Sequence, residues 1–154
     1  MDHEPLPRPP VYIPPGGPPQ AGPSREIYAL MGRENIYQMV EHFYVELEKS
    51  ELRRWFPEDM RAASRKNAAF LMGVLGGPSL YAELYGPPMM RQRHLPFPID
   101  EHARQVWLSC FKGVLEGAEE KYDFPAEHLA GFIEFLETFS AWMVNTKSDG
   151  DSPG

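Results

Sequence analysis

The chain has 154 residues, 42% hydrophobic and 24% charged, with a formal net charge of −7. That length suits one domain around one core, since domains usually run to roughly 100–200 residues. The acidic balance disfavours nucleic acid and anionic lipid as partners, and no run reaches the roughly 18 apolar residues of a membrane helix.

Residues 1–24 hold nine of the 17 prolines. Proline fixes φ and removes a backbone donor, so this extension is expected to be extended or disordered. It lacks the apolar h-region of an export signal. The single cysteine, Cys110, cannot close an internal disulfide and fits a reducing, cytoplasmic compartment. A domain over residues 25–146 follows, and the polar residues 147–154 read as a flexible tail.

Within the domain, Ser24 is placed to cap a short helical stretch over residues 25–31 that Gly32 ends. Ile36, Met39, Val40, Phe43 and Leu47 then recur at the spacing of a one-sided helix. Pro57 closes the connection after it. Another helical stretch over 60–75 places Ala63, Asn67, Phe70, Leu71 and Val74 on one face, and Gly76-Gly77-Pro78 stops it. A looser middle contains Gly86-Pro87-Pro88, Pro96 and Pro98. Asp100 is positioned to cap a helix carrying Ala103, Trp107, Cys110 and Val114, whose far end, 116–121, is charged and solvated. Pro125 suits the first turn of a last helix with Leu129, Phe132, Ile133, Leu136 and Met143. Nothing alternates as a strand, so the class is all-α with four principal helices.

The usual catalytic signatures are missing: there is no Gly-x-Ser-x-Gly elbow, phosphate-binding loop, His-Glu-x-x-His or Cys-x-x-Cys. Paired Glu-x-x-His motifs, which a di-iron bundle needs, are missing too. Of five histidines, His3 lies in the proline-rich head, His42 does not clearly join an apolar face, and His102 and His128 fall in helical first turns. His94 differs, because a basic pair there meets the apolar, proline-stiffened run Leu95-Pro96-Phe97-Pro98-Ile99. Taken alone, that setting still allows an ordinary surface role.

Three motifs stand in order: Gly76-Gly77-Pro78-Ser79-Leu80-Tyr81, Gly86-Pro87-Pro88-Met89-Met90-Arg91-Gln92-Arg93-His94-Leu95-Pro96-Phe97-Pro98-Ile99, and Trp107-Leu108-Ser109-Cys110. With Phe43-Tyr44 and Phe56-Pro57 upstream, the chain resembles the group II truncated haemoglobins over about residues 27–146. The resemblance implies a two-over-two helical sandwich and a b-type haem whose iron is held by His94. Neutral imidazole is a strong nitrogen donor to iron near neutral pH. It implies that Arg93, Tyr81 and Lys66 meet the haem propionates, as cations and a phenol suit carboxylates. Phe56, Ala63, Phe70, Leu71, Met90, Phe97 and Ile99 would complete the haem pocket.

On the distal side the resemblance assigns Tyr44 and Trp107 as hydrogen-bond donors to bound dioxygen, which carries partial negative charge. Ala63 falls where other globins place a distal histidine, and a methyl leaves the sixth iron position free or water-bound. Asn67, one turn on, departs from the apolar residue or glutamine frequent in the family; its amide either donates to the ligand or satisfies local backbone. Pro87 stands where the family often has histidine. The implied ligands are dioxygen and other diatomics such as carbon monoxide and nitric oxide. Carrier, sensor and enzyme roles stay open, the last as nitric oxide dioxygenation or peroxide reduction with a reductase. A homodimer is compatible with the resemblance. The alternative is a haem-free globin-like module that binds another protein, for which His94 in its motif would have no chemical use.

Overall fold

The computed structural model describes residues 11–19 and 21–147. Among them every regular element is helical. In chain order these are α1 (Ile27–Met31), α2 (Arg33–Lys49), a 3-10 turn (Glu51–Trp55), α3 (Met60–Val74), α4 (Leu80–Tyr85), α5 (Met90–His94), α6 (Glu101–Leu115), α7 (Ala118–Tyr122), a second 3-10 turn (Ala126–His128) and α8 (Leu129–Met143). The four long helices pack as two pairs, α2 with α3 and α6 with α8, and α2 crosses onto α6 to join them.

Local chemistry sets the ends of the long helices. The Asp59 carboxylate accepts from the Ala62 amide at 3.0 Å, and Asp100 accepts from Ala103 at 2.8 Å. Each satisfies an amide that the first helical turn leaves without a partner. Gly76 ends the region of α3 at φ 100°, where an added Cβ would stand 1.8 Å from the Arg25 carbonyl oxygen. The neighbouring Tyr28 amide donates to the Leu75 carbonyl at 2.9 Å, so α1 is laid directly across the end of α3.

In α2 the buried residues are Ile36, Met39, Val40, Phe43, Tyr44 and Leu47, the face expected from periodicity with one aromatic added. Phe43 stacks on Phe111 of α6 at 4.2 Å and meets the edge of Trp107 at 5.4 Å, which fixes the crossing of the two pairs. In α3 the expected face is rotated. The residues turned to the core are Met60, Ser64, Ala68, Ala69, Leu71 and Met72, whereas Ala63, Asn67, Phe70 and Val74 are only half-buried. A helix that divides two faces, one toward the core and one toward a cavity, carries two overlapping apolar stripes, and spacing alone merges them.

The looser middle resolves into two short helices, α4 and α5, separated by the Gly86-Pro87-Pro88 break. The described part of the proline-rich arm has no helix or strand and turns at Pro15-Gly16, yet it is tied to the domain. Tyr12 donates its amide to the Asn145 carbonyl at 3.0 Å and accepts from Arg91 at 2.8 Å, and Pro14 and Pro23 are buried. Composition gives no sign of this docking. Of the expected tail, 148–154 lies outside the described residues, as does the head through residue 10.

Candidate functional site

A cavity of about 510 Å³ lies between α3, α4, α5, α6 and α8. Its walls are largely apolar, from Leu52, Trp55 and Phe56 in the corner after α2 to Phe139 and Met143 on α8. Volumes of this order are those of sites for drug- and cofactor-sized molecules.

His94 is the last residue of α5 and faces this cavity. Its Nδ1 lies 2.6 Å from the Met90 carbonyl one turn earlier. A carbonyl can only accept, so Nδ1 carries the proton and Nε2 keeps a free lone pair. Burial pushes the His94 pKa below the ordinary histidine value; the Met90 carbonyl works against that shift and the charge of Lys66 adds to it. The result is a neutral imidazole with its donor nitrogen unspent.

The mouth of the cavity is cationic. Lys66 of α3 sits over the Tyr85 ring at 5.2 Å, and the Arg93 guanidinium over the Tyr81 ring at 5.5 Å. Arg93 also donates to the Tyr85 and Pro87 carbonyls at 2.9 and 3.1 Å, which anchors it across the break between α4 and α5. Tyr81 is buried, wedged against Phe70 and Tyr85 at 5.9 and 5.2 Å.

The remaining wall carries the other candidate donors. Trp107 lines the cavity directly from α6, held edge-on against Phe43 and Phe111. Asn67 and Ala63 line it from α3. Tyr44 is buried beside this wall, edge-on to the cavity-lining Phe56 at 5.6 Å. Burial raises its pKa, and a hydrogen bond with the Asn67 side chain opposes this. The phenol therefore stays protonated, bonded to Asn67 of the cavity wall.

Of the expected pocket residues, Phe56, Ala63, Lys66, Asn67, Tyr81, Met90, Arg93, His94, Phe97, Ile99 and Trp107 come together around the cavity. Phe70 and Leu71 do not lie on its wall. Phe70 backs Tyr81 and Phe139, and Leu71 turns into the core because the face of α3 is rotated. The sequence reading passed over Trp55, Tyr85, Phe139, Ser140 and Arg104, all of which line the cavity. Arg104 spends its donors on Ser140 at 3.0 Å, the Glu137 carbonyl at 3.0 Å and Glu101 at 2.6 Å, joining α6 to α8. Its one signal in the sequence is its place one turn before Trp107.

A family model described as bacterial-like globin matches residues 26–145. The group 2 truncated haemoglobin YjbI of Bacillus subtilis is 42% identical over 90 residues, covering 58% of this chain and 68% of that protein. The chain is a group II truncated haemoglobin. Among solved structures, the group II truncated haemoglobin of Bacillus anthracis matches with a TM-score of 0.74 and 32% identity, over 86% of this chain and 98% of that one. A truncated oxygen-avid haemoglobin from Bacillus subtilis matches with a TM-score of 0.70 and 37% identity, over 77% and 98%.

The two helix pairs are the two-over-two sandwich of these globins. The residues of this truncated haemoglobin also fit a haem on chemical grounds. A neutral imidazole offers an unspent nitrogen, the walls are apolar and aromatic, and two cations stand where acidic groups would leave the pocket.

Proposed function

We propose that this truncated haemoglobin holds a haem b through His94 and binds dioxygen reversibly, along with carbon monoxide and nitric oxide. The observation that carries this reading is the His94 imidazole, locked by Met90 into the tautomer whose free nitrogen faces a large apolar cavity. The likeness to the oxygen-avid haemoglobin of Bacillus subtilis supports the choice of ligand. Nothing in the comparisons supports a haem-free interaction module.

When bound, the haem supplies the iron at which a diatomic molecule attaches. His94 would hold that iron through its Nε2 lone pair, its ring oriented through Nδ1 by the Met90 carbonyl. Lys66 and Arg93 on the cavity wall would meet the haem propionates. Phe56, Phe97, Ile99 and Phe139 keep water away from the ring. Ala63 offers no group that could compete for the iron. Trp107 would offer its indole N–H to a diatomic ligand, with Asn67 on the same wall and the Tyr44 phenol hydrogen-bonded to it. The same donors would serve dioxygenation of nitric oxide if a reductase returned the electron. A lone thiol, Cys110, supports a cytoplasmic setting, and no helix among the described residues is long and apolar enough to cross a membrane.

The test is the absorption spectrum of protein purified with haem supplied, beside His94→Ala. A Soret band at one haem per chain, shifted by carbon monoxide and lost or altered in ligation in the variant, is the expected result. Absence of stoichiometric haem uptake by the unaltered protein would overturn the reading.

A further inference from the structure

His94 ends a helix of five residues, and the stretch from Leu95 to Ile99 that follows is turn and loop, whose own backbone bonds, from Phe97 to the His94 carbonyl and from Ile99 to the Phe97 carbonyl, do not tie it to the rest of the domain. What holds it is a group of polar contacts from the far end of α8. Asn145, only 7% exposed, donates its side-chain amide to the His94 carbonyl at 3.3 Å and the Phe97 carbonyl at 3.0 Å. The Asn145 side-chain oxygen accepts from the Ile99 amide at 3.0 Å, and its backbone amide donates to the Ile99 carbonyl at 3.0 Å. One side chain and its backbone thus fasten both ends of the segment.

Two further residues fix Asn145. Its own carbonyl accepts from the Tyr12 amide of the N-terminal arm at 3.0 Å. Arg91, on the helix of His94, donates to the Trp142 carbonyl, to the Val144 carbonyl at 2.9 Å and to the Tyr12 carbonyl at 2.8 Å. Its guanidinium also lies over the Trp142 ring at 4.4 Å. The arm, the end of α8 and the His94 helix are therefore one hydrogen-bonded unit. Residues 79 apart in the chain meet in it, as Arg91 does with Tyr12. A partly buried unit of linked hydrogen bonds resists deformation more than its separate bonds would.

We propose that Asn145, braced by Arg91 and by Tyr12 of the N-terminal arm, is a positioning residue that sets the orientation of His94 toward the iron. The arm is then a working part of the proximal side. This rests on the haem reading above. Outer-sphere partners of a metal-bound histidine typically change metal affinity by about 10–100-fold when removed.

The experiment compares the full chain with Asn145→Ala and Tyr12→Pro. The second removes one backbone donor from the arm without touching the core. Two measurements are made: amide hydrogen exchange at Phe97 and Ile99 without haem, and the iron–imidazole stretching band of the ferrous, ligand-free protein with the rate of haem loss. Both variants should exchange faster at Phe97 and Ile99, with an unchanged rate in α2. Both should shift or split the band, and Asn145→Ala should lose haem about tenfold faster. An unaltered band and exchange in Asn145→Ala would overturn the proposal. A change in Asn145→Ala with none in Tyr12→Pro would remove the arm from it. If the unaltered chain took up no haem, the functional reading would fall, and the exchange comparison alone would decide whether the unit exists. Should Asn145→Ala fail to fold, Asn145→Asp, which keeps the acceptor for Ile99 and loses the donors to His94 and Phe97, takes its place with the same outcomes.

Discussion

The two sides of the cavity are built by different physics. On the distal side, α2, α3 and α6 are long helices whose positions follow from burial, with Phe43 locked between Phe111 and Trp107. On the proximal side, α4 and α5 are short, interrupted by glycine and proline, and α5 has no buried residue at all. Its place is set by directed hydrogen bonds from Arg91, Arg93 and Asn145. Apolar packing spreads tolerance over many contacts, whereas a few polar contacts give one geometry that depends on each of them. His94 therefore sits on the less redundant side.

Substitutions can break this contrast. Phe43→Ala should give the largest loss, about 3–5 kcal/mol in urea unfolding, since it empties the crossing of the helix pairs. Arg91→Met should cost less, about 1–3 kcal/mol in the same measurement, because it strands carbonyls without removing apolar volume. Equal losses would contradict the division of labour. The ligand side sharpens it. In Tyr44→Phe the dioxygen dissociation rate should rise about tenfold, the kinetic equivalent of one hydrogen bond near 1.4 kcal/mol. Asn67→Leu should give a smaller rise of the same sign, and an unchanged rate would remove Asn67 from the ligand network.

The smallest effect is a pH dependence. Burial raises the Tyr44 pKa above its unfolded value near 10. The unfolded chain therefore loses that proton first as the pH climbs. The contribution of Tyr44 to stability is complete below about pH 10 and declines above it, so thermal unfolding of Tyr44→Phe should fall less steeply there. Parallel curves would show that the phenol is not desolvated.

These contrasts also explain what could be read from the sequence. The distal helices are periodic and capped, so Ile36 to Leu47 and the Asp100 cap were legible locally. The motif around His94 was legible through its resemblance to a family. The docking of Tyr12, the bracing by Arg91 and the role of Asn145 were not, because a hydrogen bond between distant residues leaves no periodic trace. The rotated face of α3 misplaced Phe70 and Leu71 for a related reason: a helix bordering both a core and a cavity shows one blended stripe. Tyr44 and Asn67 were both named, yet the hydrogen bond between them depends on side-chain directions that spacing does not encode.

The join between α1 and α3 has a consequence for descent. Gly76 touches the Arg25 backbone so closely that an added Cβ would stand 1.8 Å from a carbonyl oxygen, and its φ of 100° already disfavours any other residue. Every amino-acid replacement at that position introduces a Cβ. A lineage that kept this join while exploring the surface around it would find that site closed to neutral drift, and any escape would require the start of the domain to move first.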